Sequence, residues 1–459
     1  MEHFVDSDVW AAREFGTASL GDVRRTQRLV QIASGAASRF GAAISSVCGE
    51  CGSQATTRLL GRAETTLAAV LEPHIKRTSE RCVGEGRILA VQDTTALDFT
   101  GHACTEGLGP ITTAERSKGL LMHSVVAVGA GKVPVGLLGM QVWAREESAR
   151  GCSKDRRKRD VSEKESNKWL VGLDQAQSAV SADVPMLVVG DRESDVYALF
   201  AAPRRAEVDV LVRLAQNRAL DDEEHRRVRE ALDDGVIVGV HRIEVPRQKG
   251  RPKRTATIQL RVARVRIKRP VGCNKDMVGS VEVSLVWARE NDCPDGVEPL
   301  DWVLLTTQCV EDLASAVDMV DCYSVRWVIE EFHHVLKDGC RAEKMQFDTV
   351  ERIKPALAIL AVVAWRVLRL TKQSRSAPDA NVSEVASAEE VNLMNRWLKS
   401  KGEKRPLETV KAFTIAVARL GGFLGRKSDG MPGTKTIWQG LRNLEMLLLG
   451  HRLATQQEM

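Results

Sequence analysis

Aromatic side chains are scarce in this 459-residue chain, at 4%, and only two of them are tyrosines, Tyr197 and Tyr323. No apolar run approaches the ~20 residues that a membrane-spanning helix needs. The nearest, Ala356 to Leu368, is short and carries Arg366, so it is expected to be a buried helix with Pro355 in its first turn. The first nine residues are acidic and mixed, without the basic and apolar blocks of a signal peptide. The ten cysteines are dispersed apart from Cys48-Gly-Glu-Cys51. No second pair stands at zinc-finger spacing, so zinc is not specified, and reduced thiols in a cytoplasmic protein are the simplest account. Internal repeats and long low-complexity tracts are also lacking.

The apolar fraction of 43% allows a sizeable core, and the length implies two to four domains. The net charge of +5 says little by itself, but its distribution says more. Residues 246–270 hold ten Lys or Arg and no acid, 154–159 read KDRRKR, and a third cluster runs from Lys399 to Arg405. Such stripes suit a polyanion, although a solvated basic loop is an equal reading for any one of them.

Residues 1–75 read as helical. Asp22 can cap a segment with Val23, Val30, Ala33 and Ala37 at helical spacing, decorated by Arg24, Arg25 and Arg28. A second helix is expected from Gln54 to Leu71, with Arg58 and Arg62 one turn apart. These arginines suit contacts to a DNA backbone, though solvation is the commoner role of any single one. After a loop-like stretch at 78–86 come three strands (Ile88–Gln92, Gly119–Ala130, Val133–Trp143), then a helix from Lys164, a strand at Pro185–Val189, a helix after Asp195 and a strand at Asp209–Leu214. That order predicts an α/β fold: a ribonuclease-H-like mixed sheet spanning 76–375, flanked by N-terminal and C-terminal helical domains. Residues 225–308 alternate like strands and form a β-rich insertion, with a slip near Val262-Ala263 that suggests a bulge. A linker is expected at about 372–390 and a helical domain at 391–459.

The most informative stretch is 323–337, YSVRWVIEEFHHVLK. On a helix, Tyr323, Arg326, Glu330 and Lys337 fall within roughly 60° of one another, while Val328, Ile329, Phe332, Val335 and Leu336 take the other side. One face is built for burial, and the other lines up a carboxylate, two cations and a phenol. That row suits a carboxylate-bound metal beside phosphate, against the simpler alternative of a solvated charged face. Asp93 and Asp191 each close an apolar run, where an unpaired carboxylate is costly. Asp191 could cap a helix and Asp93 could form a turn. Together with Glu330, the three acids gain a common role: holding two divalent cations about 3.5 to 4 Å apart for in-line phosphoryl transfer, with Mg2+ the natural choice.

These residues resemble a known family, the bacterial insertion-sequence transposases with a DDE triad, in the cut-and-paste IS-four group (transposon-five-like) with a Y-x2-R-x3-E-x6-K signature. The match is Tyr323, Arg326, Glu330 and Lys337, supported by VQDTTALDF at 91–99 and GDRESDVYALF at 190–200. LGDVRRTQRL at 20–29, EKESNKWL at 163–170 and ARLGGFLGRK at 418–427 extend the resemblance over most of the chain. It implies Asp93, Asp191 and Glu330 as catalytic metal ligands for two Mg2+ ions, which Mn2+ can replace. Tyr323, Arg326 and Lys337 would grip phosphate. Trp302 would stack on a flipped base or serve as a strand-core tryptophan, and Arg213 and Lys168 match basic positions near the site. The implied partners are double-stranded DNA with terminal inverted repeats, target DNA and a second copy in a synaptic homodimer, with no membrane, in a bacterial cytoplasm at the nucleoid. A hairpin intermediate is part of the implied chemistry. A metal-dependent nuclease on the same core and a catalytically silent end-binding inhibitor remain as alternatives. His334 stands where relatives often carry lysine, and Gly190 precedes the second Asp.

Overall fold

The computed structural model describes residues 7–48, 50–112, 116–146, 165–245, 254–294, 296–426 and 429–456. The cluster at 154–159, the start of the 246–270 stretch and the side chain of Cys51 lie outside them.

Four helices open the chain: α1 (Ser7–Phe15), α2 (Val23–Ser38), α3 (Glu50–Leu60) and α4 (Leu67–Cys82). Asp22 caps α2 as expected, its Oδ1 accepting the Arg24 N–H at 2.8 Å. The single helix expected over 54–71 is instead two, because Thr66 restarts the chain as the cap of α4, accepting from the Ala69 N–H at 3.1 Å. The stretch at 78–86, expected as loop, is helical to Cys82. Thr78 and Cys82 are buried there, and the Thr78 hydroxyl donates to the His74 carbonyl, so burial outweighs a polar composition.

The sheet has ten strands: β1 (Ile88–Asp98), β2 (Gly109–Pro110), β3 (Lys118–Val128), β4 (Pro134–Trp143), β5 (Met186–Gly190), β6 (Val208–Arg213), β7 (Val236–Val245), β8 (Arg254–Lys268), β9 (Ser280–Glu290) and β10 (Asp301–Thr306). Both β2 and β4 pair with β3, and the order continues β3-β1-β5-β6-β10-β9-β8-β7. β3 runs antiparallel to both β4 and β1, while β1, β5 and β6 run parallel. This is the ribonuclease-H-like arrangement. The insertion strands β7–β10 join the same sheet through β10 on β6.

Strand parity sorts the core onto two faces. Leu89 and Val91 of β1 face one side, with Leu187 and Val189 of β5 and the long helix α10 (Val350–Ser376). Ile88 and Ala90 face the other, with Met186, Val188 and α5 (Asn167–Ala179). The slip at Val262-Ala263 is real but is no bulge in β8, whose pairing to β9 is unbroken there. Ile258, Leu260 and Val262 serve the first face, Val265 and Ile267 the second, so the strand changes the face it buries. The bulge lies across from it, at Ile237/Gly239 of β7.

Two short helices follow the sheet, α6 (Tyr197–Ala201) and α7 (Val228–Asp233) being inserted earlier: α8 (Leu313–Ser324) and α9 (Trp327–His334). Helix α10 is buried around its middle; Pro355 lies inside it, further in than the first turn, because the helix already starts at Val350. The expected linker at 372–390 is instead packed. α10 runs on to Ser376, and Val382, Val385 and Ala386 are buried against α11 (Ala388–Ser400), α12 (Val410–Leu420) and α13 (Thr434–Gln456). α12 and α13 cross closely at Gly421 and Gly440: a Cβ on Gly440 would lie 1.8 Å from the Val417 carbonyl oxygen. Among the described residues, no helix is long and apolar enough to cross a membrane.

Candidate active site at the ends of the parallel strands

Asp93 does not end its strand. β1 continues to Asp98 because β3 pairs with it throughout, whereas the parallel pairing to β5 stops at Val91↔Val189. Two residues further on, the same register sets Asp93 beside Asp191, just past the end of β5. By parity both follow Val91 and Val189 onto the face that α9 and α10 cover. Glu330 arrives there from the first turn of α9.

Asp93 is largely buried, and its pKa is pushed up to about 6. Burial is the main cause; the charges of Asp191 and Glu330 add to it, while the Thr94 N–H and Arg326 oppose it. Asp93 therefore feels both of the other acids. Arg326 supplies the compensating cation, donating to Glu330 at 2.6 Å with its other Nη 4.0 Å from Asp93 Oδ2. One oxygen of each aspartate is already engaged: Asp93 Oδ1 by the Thr94 N–H at 2.7 Å, and Asp191 Oδ1 by the Glu193 N–H at 2.8 Å. The capping role foreseen for Asp191 is thus present, on a short 3-10 turn at Arg192–Ser194 rather than on α6.

Among the described residues, no group of three or more His, Cys, Asp or Glu stands close enough to hold one ion. The donor set nonetheless fits a hard divalent cation: three carboxylates on one face, two of them raising the pKa of the third, with a guanidinium beside Asp93 and Glu330 as the counter-charge.

The expected continuous helix over 323–337 is broken. Hydrogen bonds tighten to i+3 at Val325 to Cys322, Arg326 to Tyr323, Val328 to Val325 and Ile329 to Arg326, and a π turn occupies Val335–Gly339. α8 packs on the insertion strands while α9 packs on β1, so the chain must bend between them. The apolar side is buried as expected at Val328, Ile329, Phe332, Val335 and Leu336. The chemical side is no longer one row. Tyr323 is buried, its ring edge-on to Trp302 at 5.3 Å and its hydroxyl near the charges of Arg326 and Arg213. Burial raises its pKa. Lys337 sits on the π turn, 3.8 Å from Glu343 and close enough to Asp98 to lower that carboxyl's pKa, a smaller effect than the Thr100 hydrogen bonds there.

Trp302 is half-buried on β10, and Arg213 of β6 also donates to the Asp301 carbonyl at 3.1 Å. Lys168, buried on α5, donates to Glu193 at 3.3 Å, beside Asp191. Tyr323 and Arg326 therefore border the acids, with Trp302 and Arg213 next to Tyr323 and Lys168 bonded to Glu193, two residues beyond Asp191. The N-terminal arginines form a separate group. Arg24, Arg58 and Arg62 are exposed and Arg28 is half-buried. Arg25 is committed to Glu64 at 2.9 Å and to the Leu20 carbonyl at 3.0 Å.

Sequence reasoning missed Ser124, His123 and His333 beneath the acids, and Trp327, 48% exposed, with the Arg326 guanidinium 5.8 Å from its ring. An aromatic next to the signature arginine was the available signal for Trp327. His123-Ser124, a polar pair inside an otherwise apolar strand, was the signal for the others.

Three family models match the chain in order: transposase DNA-binding over residues 7–64, transposase DDE domain over 162–366, and Tn5 transposase dimerisation domain over 362–458. The chain belongs to the Tn5-like DDE transposases. The DDE match includes Asp191 and Glu330, and Asp93 precedes it. Among solved structures, the Tn5-like chain is similar to a piggyBac transposase synaptic complex with hairpin DNA, at 10% identity and a TM-score of 0.33 over 86% of this chain. It spans 58% of the length of that chain.

Proposed function

We propose that this Tn5-like chain cuts and rejoins the ends of a transposon by phosphoryl transfer, with Asp93, Asp191 and Glu330 as the ligands of two divalent cations, Mg2+ or Mn2+. The reading is carried by the placement of those three acids, from three separate elements, on one face where the parallel pairing of β1 and β5 stops. When bound, the cations would lower the pKa of an attacking water and stabilise the leaving oxygen. The protein's own part is placement. Arg326 would turn from Glu330 to a phosphate oxygen, for which its fork is suited, and so leave the carboxylate for metal. Lys337 would hold a neighbouring phosphate, and Trp302 with Tyr323 would receive an unstacked base if the cut strand closes into a hairpin on its opposite strand. Residues 1–75 would read the terminal repeats through Arg24, Arg58 and Arg62, and 391–459 would pair two copies.

The test is an end-containing duplex with Mg2+. Asp93→Asn, Asp191→Asn and Glu330→Gln are each expected to abolish cleavage and leave end binding nearly intact. Retained cleavage removes that residue from the triad. Cleavage without joined product in the wild type would mark a nuclease, and binding without cleavage a silent end-binding inhibitor.

A further inference from the structure

Asp93 and Asp191 are fixed by the sheet, but Glu330 comes from a helix. α9 is short, entered through the tight turn at Val325-Arg326 and left through the π turn at Val335–Gly339. Neither junction continues a regular helix that would set its height. Val328, Ile329 and Phe332 bury its underside, but apolar contacts are not directional and tolerate sliding.

Two polar contacts of α9 are directional: Lys372 donates to Glu331 at 2.5 Å and ties α9 to α10, and the other ties α9 to the sheet. Ser124 on β3 is the direct cross-strand partner of Asp93, on the face that α9 covers. Its hydroxyl lies 3.3 Å from Nε2 of His333, and both residues are buried. His333 stands one turn beyond Glu330, on the same side of α9. A buried imidazole that lost this partner would be left unsatisfied, so the contact resists displacement of the helix. Directly alongside, on the opposite face of the sheet, His123 bridges Thr94 at 2.9 Å and Gln92 at 3.0 Å. Gly172 makes room there: a Cβ at that position would meet Gln92 Oε1 at 2.3 Å. The strand pair that carries Asp93 is thereby stiffened from below, and the Ser124–His333 contact ties α9 to it from above.

We infer that His333 and Ser124 are positioning residues: their contact sets the height of Glu330 over Asp93, and with it the ability of the two carboxylates to share a cation. The inference rests on the reading of these acids as metal ligands. Neither residue touches the cation or the DNA.

The experiment uses the full-length protein without DNA and follows the rise in melting temperature on titration with Mn2+, alongside cleavage as a function of Mg2+. His333→Leu and Ser124→Ala are expected to need roughly tenfold more Mn2+ for the half-maximal shift, in the range found when outer partners of metal ligands are removed. His333→Gln, whose amide nitrogen can take the place of Nε2, is expected to return the midpoint to within about threefold of wild type. Should His333→Leu fail to fold, Ser124→Ala and His333→Gln decide. A lowered metal-free melting temperature with a wild-type Mn2+ midpoint would overturn the inference, since the contact would then be purely structural. Absence of any Mn2+ response in the wild type, matched by Asp93→Asn, would instead overturn the metal-site reading itself.

Discussion

Arg326 stands between two of the proposed metal ligands, bonded to Glu330 at 2.6 Å and 4.0 Å from Asp93. Three carboxylates on one half-buried face need a counter-charge, and this guanidinium supplies it. The same group is the natural partner of a phosphate.

Arg326→Ala is accordingly expected to have two effects. Contacts near the cut site weaken, seen as lost footprint protection there with the terminal-repeat contacts retained. The Asp93 carboxyl, already held at about 6 by burial and its acidic neighbours, moves higher still, because Arg326 is the charge that opposes the rise. Mn2+ binding by this variant should then demand a higher pH than in the wild type. An unchanged pH dependence would show that the arginine does not compensate the acids.

Acid should loosen the protein beneath this site. His333 is buried and its pKa is pulled down to about 3, chiefly by burial and further by Lys337. Between about pH 6.5 and 3 the unfolded chain takes up this proton and the folded one does not. Stability is therefore full above the ordinary histidine pKa and falls as pH drops through that window, by about 1.4 kcal/mol per pH unit for this group. Thermal melts from pH 7.5 to 5 should show a shallower decline for His333→Gln than for wild type.

Within residues 1–75, the salt dependence of end binding should come from the exposed arginines. Arg58→Ala and Arg62→Ala are each expected to reduce the slope of log affinity against log salt by about 1. Arg25→Ala should instead lower the melting temperature, since Arg25 is tied to Glu64 and Leu20. Salt titrations of a labelled terminal-repeat duplex separate the two classes.

Gly440→Ala tests the C-terminal helices. The added methyl would collide with backbone at Val417, which cannot swing away as a side chain can. A loss of about 1–3 kcal/mol in stability is expected. The check is a denaturant melt together with sedimentation of the full chain, because the parting helices lie in the region matched by the dimerisation model.

Much of this was legible in the chain itself. Apolar runs ending in Asp93 and Asp191 marked buried strands, since central strands buried on both faces read as continuous hydrophobic stretches. The break at Val325-Arg326 was not legible, because each half of the stretch keeps helical periodicity and only the two different surfaces beneath them force the bend. The same limit applies at 372–390, where small and polar residues suggest a linker and only the neighbouring helices reveal that Val382 and Val385 are buried. Strand ends were misjudged for a related reason: β1 outlasts its apolar run because β3 keeps its backbone paired.

That one uninterrupted sheet carries β1, β5, β6 and β10 has a mechanical result. Asp93, the segment leading into Asp191, Arg213 and Trp302 belong to a single stiff slab, so the mutual spacing of two carboxylates and an indole is already decided by the sheet. The third carboxylate is carried by a separate helix, so its place depends on the contacts that tie that helix to the slab.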